Sequence, residues 1–70
     1  MTIGQRAVEC IKKRADENGT SFKHQADLLD TSWNTIKNWT VGKVSPGSYF
    51  LAEMYKQGYD IMYILTGERK

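Results

Sequence analysis

The chain has 70 residues with one cysteine, one histidine and a formal net charge of +2. A chain of this length makes one small domain. A single cysteine excludes an internal disulfide framework, and one histidine with one cysteine cannot form a conventional zinc site. The longest apolar run, Ile61 to Leu65, is far too short to span a bilayer. The first ten residues lack the apolar segment of a secretory signal, so we expect a reducing, cytoplasmic location.

Five short helical patterns follow one another along the chain, and no segment alternates like a strand. The first runs from an N-cap at Thr2 to about Glu17, where Asn18-Gly19 ends it. Ser21 caps the second. The third runs from near Ser32 to Gly42. The fourth begins at Ser45-Pro46, an N-cap followed by proline at the first helical position, and runs to about Gln57. The fifth has its N-cap at Asp60 and runs from Ile61 to Leu65. The sequence therefore predicts an all-α fold.

The stretch from Ser21 to Lys43 carries the clearest indication of function. No acidic residue occurs between Asp30 and Glu53, whereas two lysines do. When Ile36 and Trp39 turn inward, the third helix exposes small polar, amide and basic side chains. Such a surface suits DNA phosphates and base edges.

These residues resemble the lambda repressor-like helix-turn-helix family, the class of phage repressors and Cro proteins. The resemblance spans about residues 3–69 and rests on Ala26, Ser32, Thr35, Ile36, Trp39 and Gly42-Lys43, together with the ending Asp60-Ile61-Met62-Tyr63-Ile64-Leu65-Thr66-Gly67-Glu68-Arg69. It implies that residues 1–70 form a single five-helix DNA-binding domain. Helices two and three would form the helix-turn-helix, at about residues 21–41.

The resemblance also implies a recognition helix that begins at Ser32, with base-facing side chains at Trp33, Asn34, Lys37 and Asn38. Thr35 and Thr40 flank that face, Lys43 follows the helix, and Lys23 lies near the start of the preceding helix. The expected DNA-binding residues are therefore Lys23, Ser32, Trp33, Asn34, Thr35, Lys37, Asn38, Thr40 and Lys43. Asparagine can pair with adenine, and Lys37 can reach guanine or a phosphate. Lys23 and Lys43 suit phosphates. Trp33 fits two interpretations, either contact at the edge of the groove or extra core folded onto helix two.

Three residues depart from the pattern of the family. Asp30 occupies a turn position where glycine is commonest, and aspartate tolerates that backbone at some strain. Phe22 stands where the family often has a DNA-contacting glutamine, so we do not expect that contact. Gln25 replaces a usually apolar residue, so we expect either a half-buried side chain or different packing at this position.

Three other groups of side chains receive structural interpretations. We expect Tyr49, Phe50, Met54 and Tyr55 to form the core of helix four and its borders. The Lys12-Lys13-Arg14 run is interpreted as an exposed face of helix one, and His24 as a surface residue.

The fifth helix has five consecutive apolar or aromatic residues, which cannot all face one core. If Ile61, Ile64 and Leu65 point inward, Met62 and Tyr63 are left pointing outward. An apolar patch on a small domain often marks a partner surface, and members of the resembled family commonly dimerise through this helix. We therefore expect a homodimer through residues 60–66, with Met62 and Tyr63 in the interface.

The leading hypothesis is a sequence-specific transcriptional repressor of phage or prophage type that binds a pseudo-palindromic double-stranded DNA operator as a dimer. The alternative is a protein-interaction module, such as an antitoxin or antirepressor, on the same helical scaffold. We expect no enzyme, because the sequence has no nucleophile–base set, metal cluster or glycine-rich phosphate loop. We likewise expect no cofactor, small-molecule substrate or membrane partner. Both a complete Cro-like protein and the N-terminal domain of a larger repressor fit the sequence.

Overall fold

The computed structural model describes residues 2–42 and 46–68, apart from the side chain of Trp33. Within these ranges the fold has five α-helices and no strand. The helices are α1 (Ile3–Asn18), α2 (Phe22–Leu28), α3 (Trp33–Thr40), α4 (Ser48–Lys56) and α5 (Ile61–Thr66). The all-α prediction is confirmed. Across the described residues, no helix combines the length and the apolar character needed to cross a membrane.

Four of the helices begin at the predicted N-caps. Thr2 and Gln5 form a reciprocal capping box, in which each side chain accepts the backbone N–H of the other residue. The side chains of Ser21, Ser32 and Asp60 each accept the N–H three residues further on. These bonds satisfy N–H groups that a helix leaves without an internal partner. Local hydrogen bonding therefore accounts for where these four helices start.

Helix α4 begins later than predicted. Its N-cap is Gly47, and the N–H of Leu51 donates to the Gly47 carbonyl over 3.1 Å. Pro46 therefore precedes the helix, so its predicted place as the first helical residue is wrong; its side chain is buried instead. The predicted cap Ser45 lies outside the described residues. Because Gly47 has an extended backbone, with φ of −76° and ψ of 171°, the helix cannot begin at Pro46.

Helix α1 packs against α2, α3 and α5. One stripe of α1 is buried along its length, at Gly4, Ala7, Ile11 and Ala15. The largest fully buried side chains come from four different helices: Ile11, Ile36, Met54 and Ile64. A core assembled in this way depends on α1, because α1 lies against three of the other helices.

Two of the aromatic residues expected in or beside the core of α4 point outward instead. Tyr49 is 78% exposed and Tyr55 is 71% exposed. Phe50 and Met54 take the inward face, and Phe50 packs edge-on against Trp39 with ring centroids 4.5 Å apart. Because helix neighbours point in different directions, the two tyrosines are left at the surface.

Arg14 is also placed differently from the sequence prediction. Its guanidinium carbon lies 3.7 Å from the centroid of the Tyr59 ring, and its Nη1 donates to the Gln57 carbonyl over 2.7 Å. Lys12 and Lys13 are exposed as predicted. Burial raises the pKa of the Tyr59 hydroxyl, and the charge of Arg14 opposes part of that rise. Arg14 therefore joins α1 to the α4–α5 connection.

The closest approach between two helices occurs at Gly4. A Cβ atom at this position would lie 2.8 Å from the Cβ of Trp39 and 3.2 Å from its Cα and carbonyl oxygen. These atoms belong to the backbone of α3 or adjoin it, so they cannot rotate away. Glycine at position 4 therefore allows α1 and α3 to touch directly.

We expect Gly4→Ala to lower the free energy of unfolding by about 1–3 kcal/mol, because the added methyl group overpacks the α1–α3 contact. Helix propensity alone predicts the opposite sign, a gain of about 1 kcal/mol. Urea unfolding followed by circular dichroism distinguishes overpacking from helix propensity, because the two effects change the free energy of unfolding in opposite directions. An increase in stability would show that the helices are not in contact at Gly4.

Candidate nucleic-acid interface

The connection between α2 and α3 is a short turn held by backbone and packing contacts. Asp30 adopts the left-handed conformation with φ of +55°, as expected for a position that favours glycine. The N–H of Thr31 donates to the Ala26 carbonyl over 3.2 Å. Ala26 and Leu29 are buried beneath the turn. These contacts fix how α3 follows α2.

Gln25 is buried more deeply than expected. It is 3% exposed, so of the two expected alternatives the half-buried side chain is wrong. Its Nε2 donates to the Thr20 Oγ1 over 2.8 Å. A buried amide is tolerated when it finds such a partner, and Thr20, just before the N-cap of α2, supplies it.

Helix α3 has one buried side and one exposed polar side. Ile36 and Trp39 are buried in the core. Asn34, Lys37 and Asn38 are exposed, and their spacing of three and four residues places them on one face of the helix. We call these three residues the polar face of α3. It offers two amides, each with donors and an acceptor, and one ammonium donor.

The hydroxyl groups on α3 are bonded within the helix. The Oγ of Ser32 accepts the N–H of Thr35 over 3.3 Å and lies 3.0 Å from the Oγ1 of Thr35. The Oγ1 of Thr40 donates to the Ile36 carbonyl over 3.3 Å. All three residues are exposed. Their role as DNA contacts stays a prediction, whereas their role in shaping α3 is visible in these bonds.

Of the three remaining predicted contacts, the structure describes only Lys23 in full. Lys23 is exposed near the start of α2, and His24 is exposed beside it as predicted. Trp33 is the first residue of α3, but its side chain lies outside what the structure describes, as does the whole of Lys43. Two acidic residues, Asp27 and Asp30, are exposed on α2 and its following turn. The positive charge near α3 is therefore modest.

The exposed apolar side chains of α5 are not the predicted pair, Met62 and Tyr63. Met62 is 56% exposed, as expected, but Leu65 is also 40% exposed. Tyr63 is only partly exposed, and its hydroxyl donates to the Oε1 of Glu9 over 2.6 Å. The expected outward position of Tyr63 is therefore wrong. The polar partner that turns it toward α1 lies 54 residues away in sequence.

A second polar contact holds α5 against α1. The Nε of Arg6 donates to the Ile64 carbonyl over 2.8 Å, and its Nη2 donates to the Leu65 carbonyl over 3.2 Å. These are carbonyls of the last turn of α5, which have no partner within the helix. The sequence did not predict a role for Arg6, because the pattern of an amphipathic helix does not indicate which distant group an arginine will bond.

A shallow groove of about 420 Å³ lies between α1 and the end of α3. Its lining residues are Gln5, Val8, Glu9, Lys12 and Thr40. The described part of this lining contains no histidine, cysteine or serine that would serve as a nucleophile with its base. Among the described residues there is also no group of three or more His, Cys, Asp or Glu side chains placed to hold a metal ion.

Comparisons with protein-family models, with curated proteins and with solved structures found no match to this chain. Its function must therefore be inferred from its own residues and their geometry.

We expect Asp30→Gly to raise the free energy of unfolding by about 0.5–1 kcal/mol, because glycine adopts a positive φ without the clash of a Cβ atom. Asp30→Asn is the matched control, since it removes the same charge but keeps a side chain that tolerates this backbone. Urea unfolding should show little change for the asparagine variant. Equal effects of the two variants would assign the effect to charge rather than to backbone strain.

Proposed function

We propose that this protein is a sequence-specific, double-stranded-DNA-binding transcriptional repressor of phage or prophage type. In this proposal α2, the turn and α3 act as a helix-turn-helix of the lambda repressor-like kind. The observation that carries the proposal is the polar face of α3, which is exposed opposite the buried residues Ile36 and Trp39. A helix presented in this way fits the major groove, which is wide enough to admit one.

The chemistry and the length of α3 agree with the reading of base pairs. The side-chain amide of Asn34 or Asn38 can donate from its Nδ2 to N7 of adenine and accept at its Oδ1 from the N6 amino group, while Lys37 donates to guanine or to a phosphate. The eight residues of α3 extend about 12 Å. This length covers about three to four base pairs at about 3.4 Å each.

Electrostatics support modest rather than strong phosphate binding. The net charge is only +2, and Asp27 and Asp30 are exposed close to α3 in sequence. Lys23 and Lys43 are the proposed phosphate contacts. Four such contacts in a dimer give a slope of about −3.6 for the logarithm of affinity against the logarithm of salt concentration. Most of the discrimination between sequences would then come from the polar face of α3.

The proposed active species is a homodimer. Two copies of α3 would enter successive major grooves of a pseudo-palindromic operator, about 34 Å apart. Binding there would block access of polymerase. Met62 and Leu65 on α5 supply exposed apolar surface for a two-fold contact. Tyr63 would support this surface indirectly, because its bond to Glu9 holds α5 in place.

The same exposed residues of α5 favour a second candidate function, a protein-interaction module such as an antitoxin or antirepressor. Met62 and Leu65 would then bind a different protein rather than a second copy. Neither candidate includes catalysis, a cofactor, a small-molecule substrate or a membrane partner. Both would act in the cytoplasm.

The proposed base contacts are tested by selecting bound duplexes from a random pool and then measuring affinity by fluorescence anisotropy. Asn34→Ala should weaken binding to the selected duplex by about 1–3 kcal/mol, which is about 5- to 150-fold. Binding to a scrambled duplex should change little. Lys37→Ala should also weaken binding.

Lys13→Ala is the matched control for Lys37→Ala, because it removes the same charge from the exposed side of α1. Its affinity for the selected duplex should stay close to that of the unchanged protein. If the pool yields no enriched sequence, or if the Lys13 variant loses as much affinity as the Lys37 variant, α3 is not the reading element.

Dimerisation through α5 is tested with the double variant Met62→Ser, Leu65→Ser. We expect a higher dimer dissociation constant in sedimentation velocity, because the substitution removes apolar surface from the contact. Leu28→Ser is the control, since Leu28 is similarly exposed (53%) but lies on α2. A dimer that survives the double variant, or one that is lost with the control, would place the contact elsewhere.

A further inference from the structure

The start of α1 lies against the last turn of α3 and the residues just after it at three neighbouring points. Gly4 lies against Trp39, so closely that a Cβ atom there would be 2.8 Å from the Cβ of Trp39. The Nε2 of Gln5 donates to the Thr40 carbonyl over 3.2 Å. The Cγ2 methyl of Thr2 lies 3.7 Å from where a Cβ of Gly42 would be. The C-terminal end of α3 therefore packs against one turn of α1.

The side-chain amide of Gln5 forms two hydrogen bonds, one through its oxygen and one through its nitrogen. Its Oε1 accepts the Thr2 N–H over 2.9 Å, which closes the capping box of α1. Its Nε2 bonds the carbonyl of Thr40, the last residue of α3. Carbonyls in the last turn of a helix have no partner within the helix. One side chain thus joins the start of α1 to the end of α3.

We propose that Gln5 is a positioning residue that fixes the orientation of the polar face of α3 relative to the rest of the fold. This inference rests on the proposed function. Thr40 follows Lys37 and Asn38 by three and two residues, so any displacement at Thr40 is transmitted to both. The other end of α3 is held by the bond from Thr31 to Ala26. Without the Gln5 bond, the C-terminal end of α3 keeps its packing at Gly4 and Trp39 but loses this polar contact with α1, so a small tilt of α3 about the packing contact costs less.

The effect is on specificity more than on overall affinity. Paired hydrogen bonds to a base edge require close alignment of the side chain. Contacts to phosphates position the protein but carry no sequence information. A tilted α3 therefore loses discrimination between operator and scrambled DNA, while phosphate contacts from lysines on other elements retain their contribution.

Three variants separate the bond to α3 from the cap of α1. Gln5→Glu keeps an oxygen for the Thr2 N–H but places a second oxygen against the Thr40 carbonyl. Gln5→Met removes both bonds without adding charge. Thr2→Val removes the capping hydroxyl, which accepts the Gln5 N–H over 3.1 Å, but keeps a methyl group beside Gly42. The valine variant is therefore the control for loss of the cap.

The measured quantity is the ratio of affinities for the selected duplex and a scrambled duplex. We expect this ratio to fall about tenfold in Gln5→Glu and Gln5→Met, equivalent to about 1.4 kcal/mol. It should stay unchanged in Thr2→Val, although all three variants unfold at lower temperatures. The added charge in Gln5→Glu weakens binding to both duplexes alike and does not affect the ratio.

Amide hydrogen exchange gives a readout that does not depend on DNA. The Gly42 N–H donates to the Trp39 carbonyl over 3.1 Å at the end of α3, and it should exchange faster in Gln5→Met than in Thr2→Val. Equal exchange rates in the two variants, or equal affinity ratios in all proteins, would overturn the inference while leaving the proposed function intact. An unchanged protein that does not distinguish the two duplexes would overturn both.

Discussion

The direct contact between α1 and α3 at Gly4 and Trp39 is the constraint on which the remaining structure depends. It brings two helix backbones so close that no side chain larger than that of glycine fits between them. With α3 held there, Ile36 is buried and Trp39 meets Phe50 of α4 edge-on. The same contact determines which side of α3 is exposed. The packing of the core and the exposure of the candidate site therefore both depend on the contact between Gly4 and Trp39.

Local signals in the sequence account for much of this architecture. The N-caps at Thr2, Ser21, Ser32 and Asp60 are predictable because each bond joins residues only three apart. The inward positions of Ile36 and Trp39 follow from helical periodicity. The exposure of the polar face of α3 follows in turn, since it lies on the other side of the same helix.

The errors at Tyr63 and Arg14 share a different cause, which is a partner distant in the chain. Tyr63 turns toward Glu9, 54 residues away, and Arg14 bonds the Gln57 carbonyl, 43 residues away. The contact from Gln5 to Thr40 spans 35 residues and was not foreseen. Hydrophobic spacing describes one helix at a time, so it cannot show which polar groups meet when helices pack. Tests of the proposed DNA interface must therefore include residues of α1 as well as α3.

The proposed contact between α3 and DNA can be tested by amide NMR. A ¹⁵N-labelled sample is titrated with the duplex selected from a random pool, and shifts are followed residue by residue. We expect the largest shifts at Asn34, Lys37 and Asn38, with smaller ones at Lys23. Shifts concentrated on α4 or α5, with the polar face of α3 unchanged, would contradict it.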